Sequence, residues 1–367
     1  MPQTAERKLQ SLTLRPVARA SGVVALPGSK SISNRALFLA AMAEGETTLT
    51  GLLRADDTER MLESLQKLGI GVAFISGTDV RVTGCAGKVP VKDADLFIGN
   101  AGTAARTLTA LLMLAPTVAG DEGLFIDIEG ELISRPYVEM TVRMMADFGV
   151  CVQETSTGFW VPQAVYRAQS SYRVEADASG ASYFLALGAL TGGPVTVTGV
   201  GEGSIQGDIA FADALRMMGA EVVKTTDSIT VSRKADVPLK GIELDCTAIP
   251  DAAMTFVPMA LMTEGPVKLS GIASWRVKET DRLAAMAREM RKFGAIVEEG
   301  ADRISVQKPA SGNLAGACVD TYDDHRMAMS LSLAACAGVP VTINDPGCTA
   351  KTYPTFFEEF TRLTQVK

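Results

Sequence analysis

Six stretches of this sequence place cations, carboxylates or bare backbone N–H groups where a turn meets a helix start. LPGSKSISNRALFLAA sets Lys30 and Ser31 after Gly28 and ahead of a helix, with Arg35 about one turn in. It is not a P-loop, because the GxxxxGK[ST] spacing fails. GNAGTAARTLTALLMLAP, residues 99–116, reads as a glycine turn between the apolar run Leu96-Phe97-Ile98 and a helix, with Gly102 and Thr103 in the turn and Arg106 in the first helical turn. Such a turn aims N–H groups at one spot, where the helix dipole favours negative charge. TAIPDAAMTFVPMALM puts Asp251 ahead of an apolar helix, and SWRVKETDRLAAMAREM packs Arg276, Lys278, Glu279, Asp281 and Arg282 into seven positions. TYDDHRMAMSLSLAA holds His325, the only histidine, beside Arg326, and DPGCTAKTYPTFF offers Lys351 after a Pro-Gly turn. Each has an ordinary reading: an N-cap for Asp251, a solvated helix start for the charged run, a structural role for a lone histidine. Together they describe Lys, Arg and His gathered at helix starts with two carboxylates among them. That set suits a ligand bearing several negative charges whose reaction needs proton transfer.

Two recurring shapes position these groups. MLESLQKLGIGVAFISGTDVRVTG, MTVRMMADFGVCVQETSTGFWVPQ, FADALRMMGAEVVKTTDSITVSR and MAREMRKFGAIVEEGADRISVQK each read as an amphipathic helix, a stop at Gly69, Gly149, Gly219 or Gly294, and a two-stranded hairpin. Interleaved with them, NRALFLAAMAEGETTLTG, SYFLALGALTGGPVTVTG and MTFVPMALMTEGPVKLSG read as a mostly apolar helix followed by a short strand ending in glycine. An all-round apolar helix is normally buried. The expected architecture is α/β (α+β), with repeats of roughly 70–80 residues built from buried helices and small sheets.

The bulk numbers fit a two-domain globular chain: 367 residues, 47% hydrophobic and 21% charged. A net charge of −7 argues against a nucleic-acid binder, so an anion site must be a local cationic cluster. Six scattered cysteines without CxxC spacing, and a single histidine, argue against a zinc site or disulfide framework. MPQTAERKLQ lacks a signal-peptide core, and no apolar run reaches the ~18 residues of a membrane helix. The expectation is a cytoplasmic protein without membrane contact.

The stretches LPGSKSISNRALFLAA, GNAGTAARTLTA, ISRPYVEMT, DASGASYFLA, IQGDIAFADALRMMGAEV, IPDAAMT, WRVKETDRL, DDHRMAM and DPGCTAKTYP together closely resemble the 5-enolpyruvylshikimate-3-phosphate synthase family, along nearly the whole chain. The resemblance implies two domains joined by a double crossover, built of repeated βαβαββ units around parallel helices, with the site in the interdomain cleft. Here they would be residues 1–27 plus 175–367, with three units, and 28–174, shortened to about two. It implies transfer of the enolpyruvyl group of phosphoenolpyruvate to the 5-hydroxyl of shikimate 3-phosphate, with release of phosphate and without metal or other cofactor. It implies glyphosate as an inhibitor, and the chain is expected to be a monomer. It assigns Lys30 to both substrates, Ser31, Arg35 and Lys278 to the shikimate ligand, and Ser134 and Tyr137 to its phosphate. Gly102 and Thr103 would border the phosphoenolpyruvate pocket, and Arg282, Arg326 and Lys351 would clamp that substrate. Asp251 would accept the 5-hydroxyl proton, with Glu279 a proton-transfer partner. His325, at the charged helix start, joins the substrate-binding set.

The sequence also departs from the family. Where the family's GTAMRPL opens one unit, Arg106-Thr107-Leu108 runs directly into ALLMLAP, which resembles the start of the next. About one repeat, ~70 residues, is absent. An arginine for phosphoenolpyruvate and a Ser-Ser-Gln group for the shikimate phosphate go with it. Arg135-Pro136 holds the equivalent place in its own unit, so Arg135 is a candidate to take over the lost arginine. Ser274 stands where the family often has asparagine, and Ala105 and Thr107 replace Met and Pro, a change that bears on glyphosate sensitivity. The alternative reading is a catalytically impaired homologue that only binds ligand or a partner chain. The sister transferase acting on UDP-N-acetylglucosamine is disfavoured, since its reactive-cysteine loop is not evident.

Overall fold

The computed structural model describes residues 10–91, 95–96, 124–127, 135–162 and 164–366. The GNAGTA stretch with Gly102 and Thr103, the junction at Arg106, and Ser134 lie outside the described residues. The chain divides into two compact units, Met1–Leu26 with Ala178–Lys367, and Pro27–Asp177.

The amphipathic helices are Asp56–Lys67, Arg135–Asp147, Ala210–Met217 and Arg282–Lys292. Each is followed by the glycine read from the sequence, at φ 81°, 86°, 106° and 87° for Gly69, Gly149, Gly219 and Gly294. Only glycine takes this left-handed backbone without a Cβ penalty, and it lets the last carbonyls bond back onto the turn. An antiparallel hairpin follows each: Gly71–Phe74 with Val80–Thr83, Gln153–Glu154 with Gly158–Val161, Glu221–Lys224 with Ser228–Ser232, and Ile296–Glu299 with Ile304–Gln307.

The apolar helices lead into strands Glu46–Thr50, Val195–Thr198, Glu264–Ser270 and Val341–Asn344. Three of these strands end on Gly51, Gly199 and Gly271, and the fourth on Asp345, all with positive φ. Helices Lys30–Met42 and Ala178–Thr191 form as read. The segment after Asp251 is instead a 3-10 turn, Ala252–Thr255, and one α-turn, Phe256–Met259. Pro258 lacks the N–H that a continuous helix would use there. Likewise His325–Ser332 tightens into the 3-10 segment Leu333–Ala337.

The three four-stranded sheets share one order. In each, the strand after the apolar helix pairs in parallel with a strand outside its hairpin, Gly22–Ala25, Lys240–Asp245 or Tyr172–Arg173. On its other side it takes the hairpin, antiparallel. A three-stranded sheet keeps the parallel pair, Ala317–Val319 with Val341–Asn344, and fills the hairpin's place with Ser11–Leu14. The N-terminal segment therefore threads the first unit, and Val17–Ala20 pairs with Thr364–Val366. In the second unit, Gly28 bridges Ala176 where the chain enters and leaves.

Ala178–Thr191 is buried along all but its last residue and packs against Ala252–Thr255 and Leu333–Ala337. Phe184 stacks near Tyr353 and Phe356, and Phe211 lies 4.4 Å from Phe256 between ring centres. Each such burial contributes about 1.5–3 kcal/mol. Among the described residues, no helix is long and apolar enough to cross a membrane.

Candidate active site

In the unit containing Ala178–Lys367, the charged stretches converge on Arg282, 1% exposed at the first residue of its helix. Its Nε donates to Asp324 Oδ2 at 2.7 Å, Nη1 to Asp251 Oδ1 at 2.9 Å and Nη2 to Glu279 Oε2 at 2.6 Å. Burial alone would push the guanidinium's pKa down; Asp324, Asp251 and Glu279 outweigh it and hold it above its ordinary value. Asp251 is shared: its Oδ2 accepts from Arg326 Nη2 at 3.1 Å, and Lys278 Nζ lies 3.8 Å from Oδ1. Lys351 Nζ is 3.5 Å from Glu279 Oε1. Three carboxylates thus face two arginines and two lysines. The carboxylates keep the buried cations from standing unpaired.

The local backbone explains how these groups meet. Asp251 precedes the 3-10 turn, but its side chain makes no capping bond. Asp208 does that work, its Oδ1 accepting from Ala252 N at 3.1 Å. Asp251 thus stands at the N-cap position without capping through its side chain. Within WRVKETDR, Trp275 is buried and donates to Pro250 O at 2.6 Å, tying this loop to the one that carries Asp251. Arg276 bonds Asp281 and the carbonyls of Gly300 and Ala301. Asp281 caps its helix by accepting from Ala284 N. The charged run is thus divided, with Arg276 and Asp281 shaping the turn, Lys278 and Arg282 meeting Asp251, and Glu279 meeting Arg282.

Asp324 is the residue that sequence reasoning missed. It is fully buried; Oδ1 caps Arg326 N at 2.9 Å while Oδ2 binds Arg282. Ser179 and Tyr183 were also missed; both accept from Arg326, at 3.1 and 3.4 Å. The signals were there, an aspartate before His-Arg and the polar residues of DASGASYF. His325 is buried with Nδ1 3.7 Å from Asp324 Oδ1.

The Pro27–Asp177 unit carries the other described candidates. Lys30 opens its helix behind the N-cap Ser29. Gly28 is fixed by close approach, since a Cβ there would lie 2.2 Å from Gly51 O. Arg35 donates to Thr141 Oγ1 at 2.8 Å, Ser31 O at 3.0 Å and Tyr137 O at 3.4 Å. It joins helix Lys30–Met42 to Arg135–Asp147 and brings Ser31, Arg35 and Tyr137 together. Arg135 donates to Glu154 at 2.6 Å and lies 3.6 Å from Glu139; the Glu154 bond leads in raising its pKa.

The sequence profile of EPSP synthase (3-phosphoshikimate 1-carboxyvinyltransferase) matches residues 14–112 and 106–360. The chain belongs to the EPSP synthase family. A 3-phosphoshikimate 1-carboxyvinyltransferase of Cellvibrio japonicus is 45% identical, with 97% of this chain and 100% of the relative covered. One from Burkholderia cenocepacia is 46% identical, with 96% and 99% covered. The EPSP synthase structure from Acinetobacter baumannii superposes with a TM-score of 0.77 at 23% identity, covering 97% of this chain and 99% of that one. The enolpyruvyl transferase NikO from Streptomyces tendae gives 0.64 at 16% identity, covering 98% of each. These superpositions establish the enolpyruvyl-transferase fold. The Cellvibrio alignment spans 428 positions against 367 residues here, so at least 61 positions of the relative have no counterpart. The two profile segments meet at 106–112, at the junction where Arg106-Thr107-Leu108 runs into ALLMLAP.

Proposed function

We propose that the protein transfers the enolpyruvyl group of phosphoenolpyruvate to the 5-hydroxyl of shikimate 3-phosphate, releasing phosphate, in the shikimate route to aromatic amino acids. The observation that carries this reading is the cluster itself: Asp251, held between Arg282 and Arg326 with Glu279 on Arg282's other nitrogen, built from segments that match the family's motifs. The reaction is addition followed by elimination. The 5-hydroxyl oxygen bonds to C2 of phosphoenolpyruvate as C3 takes a proton, giving a tetrahedral intermediate. Loss of phosphate and of a C3 proton then restores the double bond.

In this reading Asp251 takes the hydroxyl proton and Glu279 moves the C3 proton. Arg282, Arg326 and Lys351 hold the phosphoenolpyruvate anion, so charge developing on it meets donors already oriented. Lys278 binds the shikimate ligand, and His325 supports the Arg326 helix start. Lys30 contacts both substrates, Ser31 and Arg35 hold the shikimate ligand, Tyr137 and Ser134 flank its phosphate, and Gly102 and Thr103 border phosphoenolpyruvate. No residue role calls for a metal or another cofactor. The protein is then a cytoplasmic monomer that glyphosate inhibits by competing for the anion site.

Phosphate release tests the reading. Release that needs both substrates and is lost in Asp251→Asn supports transfer. No release from a folded, monodisperse sample refutes it and leaves a homologue that binds without turnover. Arg135→Ala asks whether that residue replaces the lost arginine: unchanged phosphoenolpyruvate affinity in an active protein rules it out.

A further inference from the structure

The helix that presents Arg282 carries a second buried charge two turns on. Glu289 is 0% exposed, and its two oxygens serve different partners. Oε1 accepts from Tyr322 Oη at 2.6 Å and Oε2 from Asp320 N at 3.0 Å, with Lys292 Nζ 2.7 Å from Oε2 as counter-charge. Both partners lie in the short link between strand Ala317–Val319 and helix His325–Ser332. In that link Tyr322 and Asp323 take φ 55° and 56° in succession. Consecutive non-glycine residues with left-handed backbone persist only where their surroundings hold them. The next residue is Asp324, which binds Arg282 and caps Arg326. One helix therefore grips the link at both ends, Arg282 at Asp324 and Glu289 at Asp320 and Tyr322.

We propose that Glu289 is a positioning residue for the transfer reaction: through Tyr322 it holds the turn that sets Asp324, and through Asp324 the two arginines. The proposal rests on the enolpyruvyl-transfer reading. A role in packing alone would be met by an apolar side chain, whereas this carboxylate has each oxygen on a different part of the turn. A small displacement of the groups that orient a substrate lowers reactivity far more than its size suggests.

Two variants and two readouts test it in the full chain. Tyr322→Phe removes only the hydroxyl. Glu289→Gln keeps an oxygen for Asp320 N and an amide that donates to Tyr322 Oη, and serves as the conservative rescue. The first readout is KM for each substrate in the phosphate-release assay. The second is the ring C–H resonance of His325, the only histidine in the chain, whose Nδ1 lies 3.7 Å from Asp324. In Tyr322→Phe, melting near the parent temperature, KM for phosphoenolpyruvate rises about tenfold or more while that for shikimate 3-phosphate stays put, and the His325 signal moves. Glu289→Gln stays close to the parent in both readouts. An unmoved His325 signal, an unchanged phosphoenolpyruvate KM, or an equal rise in both KM values overturns the proposal. If the parent releases no phosphate, the transfer reading has failed, and the His325 signal alone decides whether Glu289 sets the turn.

Discussion

Arg282→Met removes the charge on which the cluster is built while keeping much of the side-chain volume. It deletes bonds to Asp324, Asp251 and Glu279 at 2.7, 2.9 and 2.6 Å and leaves Asp324 fully buried without its cation. Breaking a buried ion pair from one side costs about 3–5 kcal/mol. For a unit of this size each kcal/mol lowers Tm by roughly 2–4 °C, so a loss of about 6–20 °C is expected. Burial without a counter-charge disfavours the ionised form, so a stranded carboxylate holds its proton more tightly in the folded state than in the unfolded one. The folded protein then binds more protons than the unfolded one, so the variant's stability falls as pH rises. The deficit should be larger at pH 8 than at pH 5. Adding Asp324→Asn neutralises the stranded group while keeping an oxygen to cap Arg326. It should recover stability, with a coupling of about 0.5–3 kcal/mol in the double-mutant cycle. Scanning calorimetry at the two pH values is the assay. A melting loss that is small, or equal at both pH values, or unrescued by Asp324→Asn, refutes the claim that these carboxylates depend on Arg282.

Trp275→Phe keeps an aromatic side chain but removes the indole N–H and orphans Pro250 O at the turn carrying Asp251; a stability loss of about 1–3 kcal/mol, with a fall in kcat, is expected from denaturant melts and phosphate release. Gly28→Ala drives a Cβ to within 2.2 Å of Gly51 O, so the Pro27–Asp177 unit should lose protection in hydrogen exchange before the other unit does. Cys246 is buried and its thiol is pushed up to about 12 by that burial. Exposed Cys151 and Cys318 should alkylate at pH 8 long before it does, as peptide mass mapping would show. Asp320 is held below the usual carboxylate range by the Asn344 amide and then by Lys292. Its contribution is present above its unfolded pKa and lost as pH falls through the lowered folded value, so Asp320→Asn should flatten the acid limb of the stability profile.

The repeats were legible because their punctuation is local. A glycine after an amphipathic helix and an apolar run before a short strand are signals within one window, and Gly69, Gly149, Gly219 and Gly294 all take the left-handed turn they suggest. The parallel pairings were not legible: Tyr172 sits beside Leu49, and Val195 beside Gly22, for reasons no window contains. At the site, charge at helix starts identified Asp251, Glu279, Arg282 and Arg326. It could not say which aspartate caps a helix start and which pairs with the arginines. Asp208 takes the cap expected of Asp251, and Asp324 caps and pairs at once, so its second role was hidden behind its first. The short junction after Arg106 was legible because Arg106-Thr107-Leu108 runs straight into ALLMLAP, where the family pattern places the rest of a unit.

The strand Val17–Ala20 pairs with Thr364–Val366, which bears on how the chain is made. On the ribosome, at about 5–20 residues per second, Val17 waits roughly 20–70 s for Val366 to be synthesised. Meanwhile the whole of Pro27–Asp177, a continuous stretch, has left the exit tunnel and can fold. Val17–Ala20, made long before Thr364–Val366, is among the last strands to find its partner. A nascent chain stalled short of Thr364 should therefore expose the edges of Val17–Ala20 to chaperones and proteases, however complete the inserted unit already is.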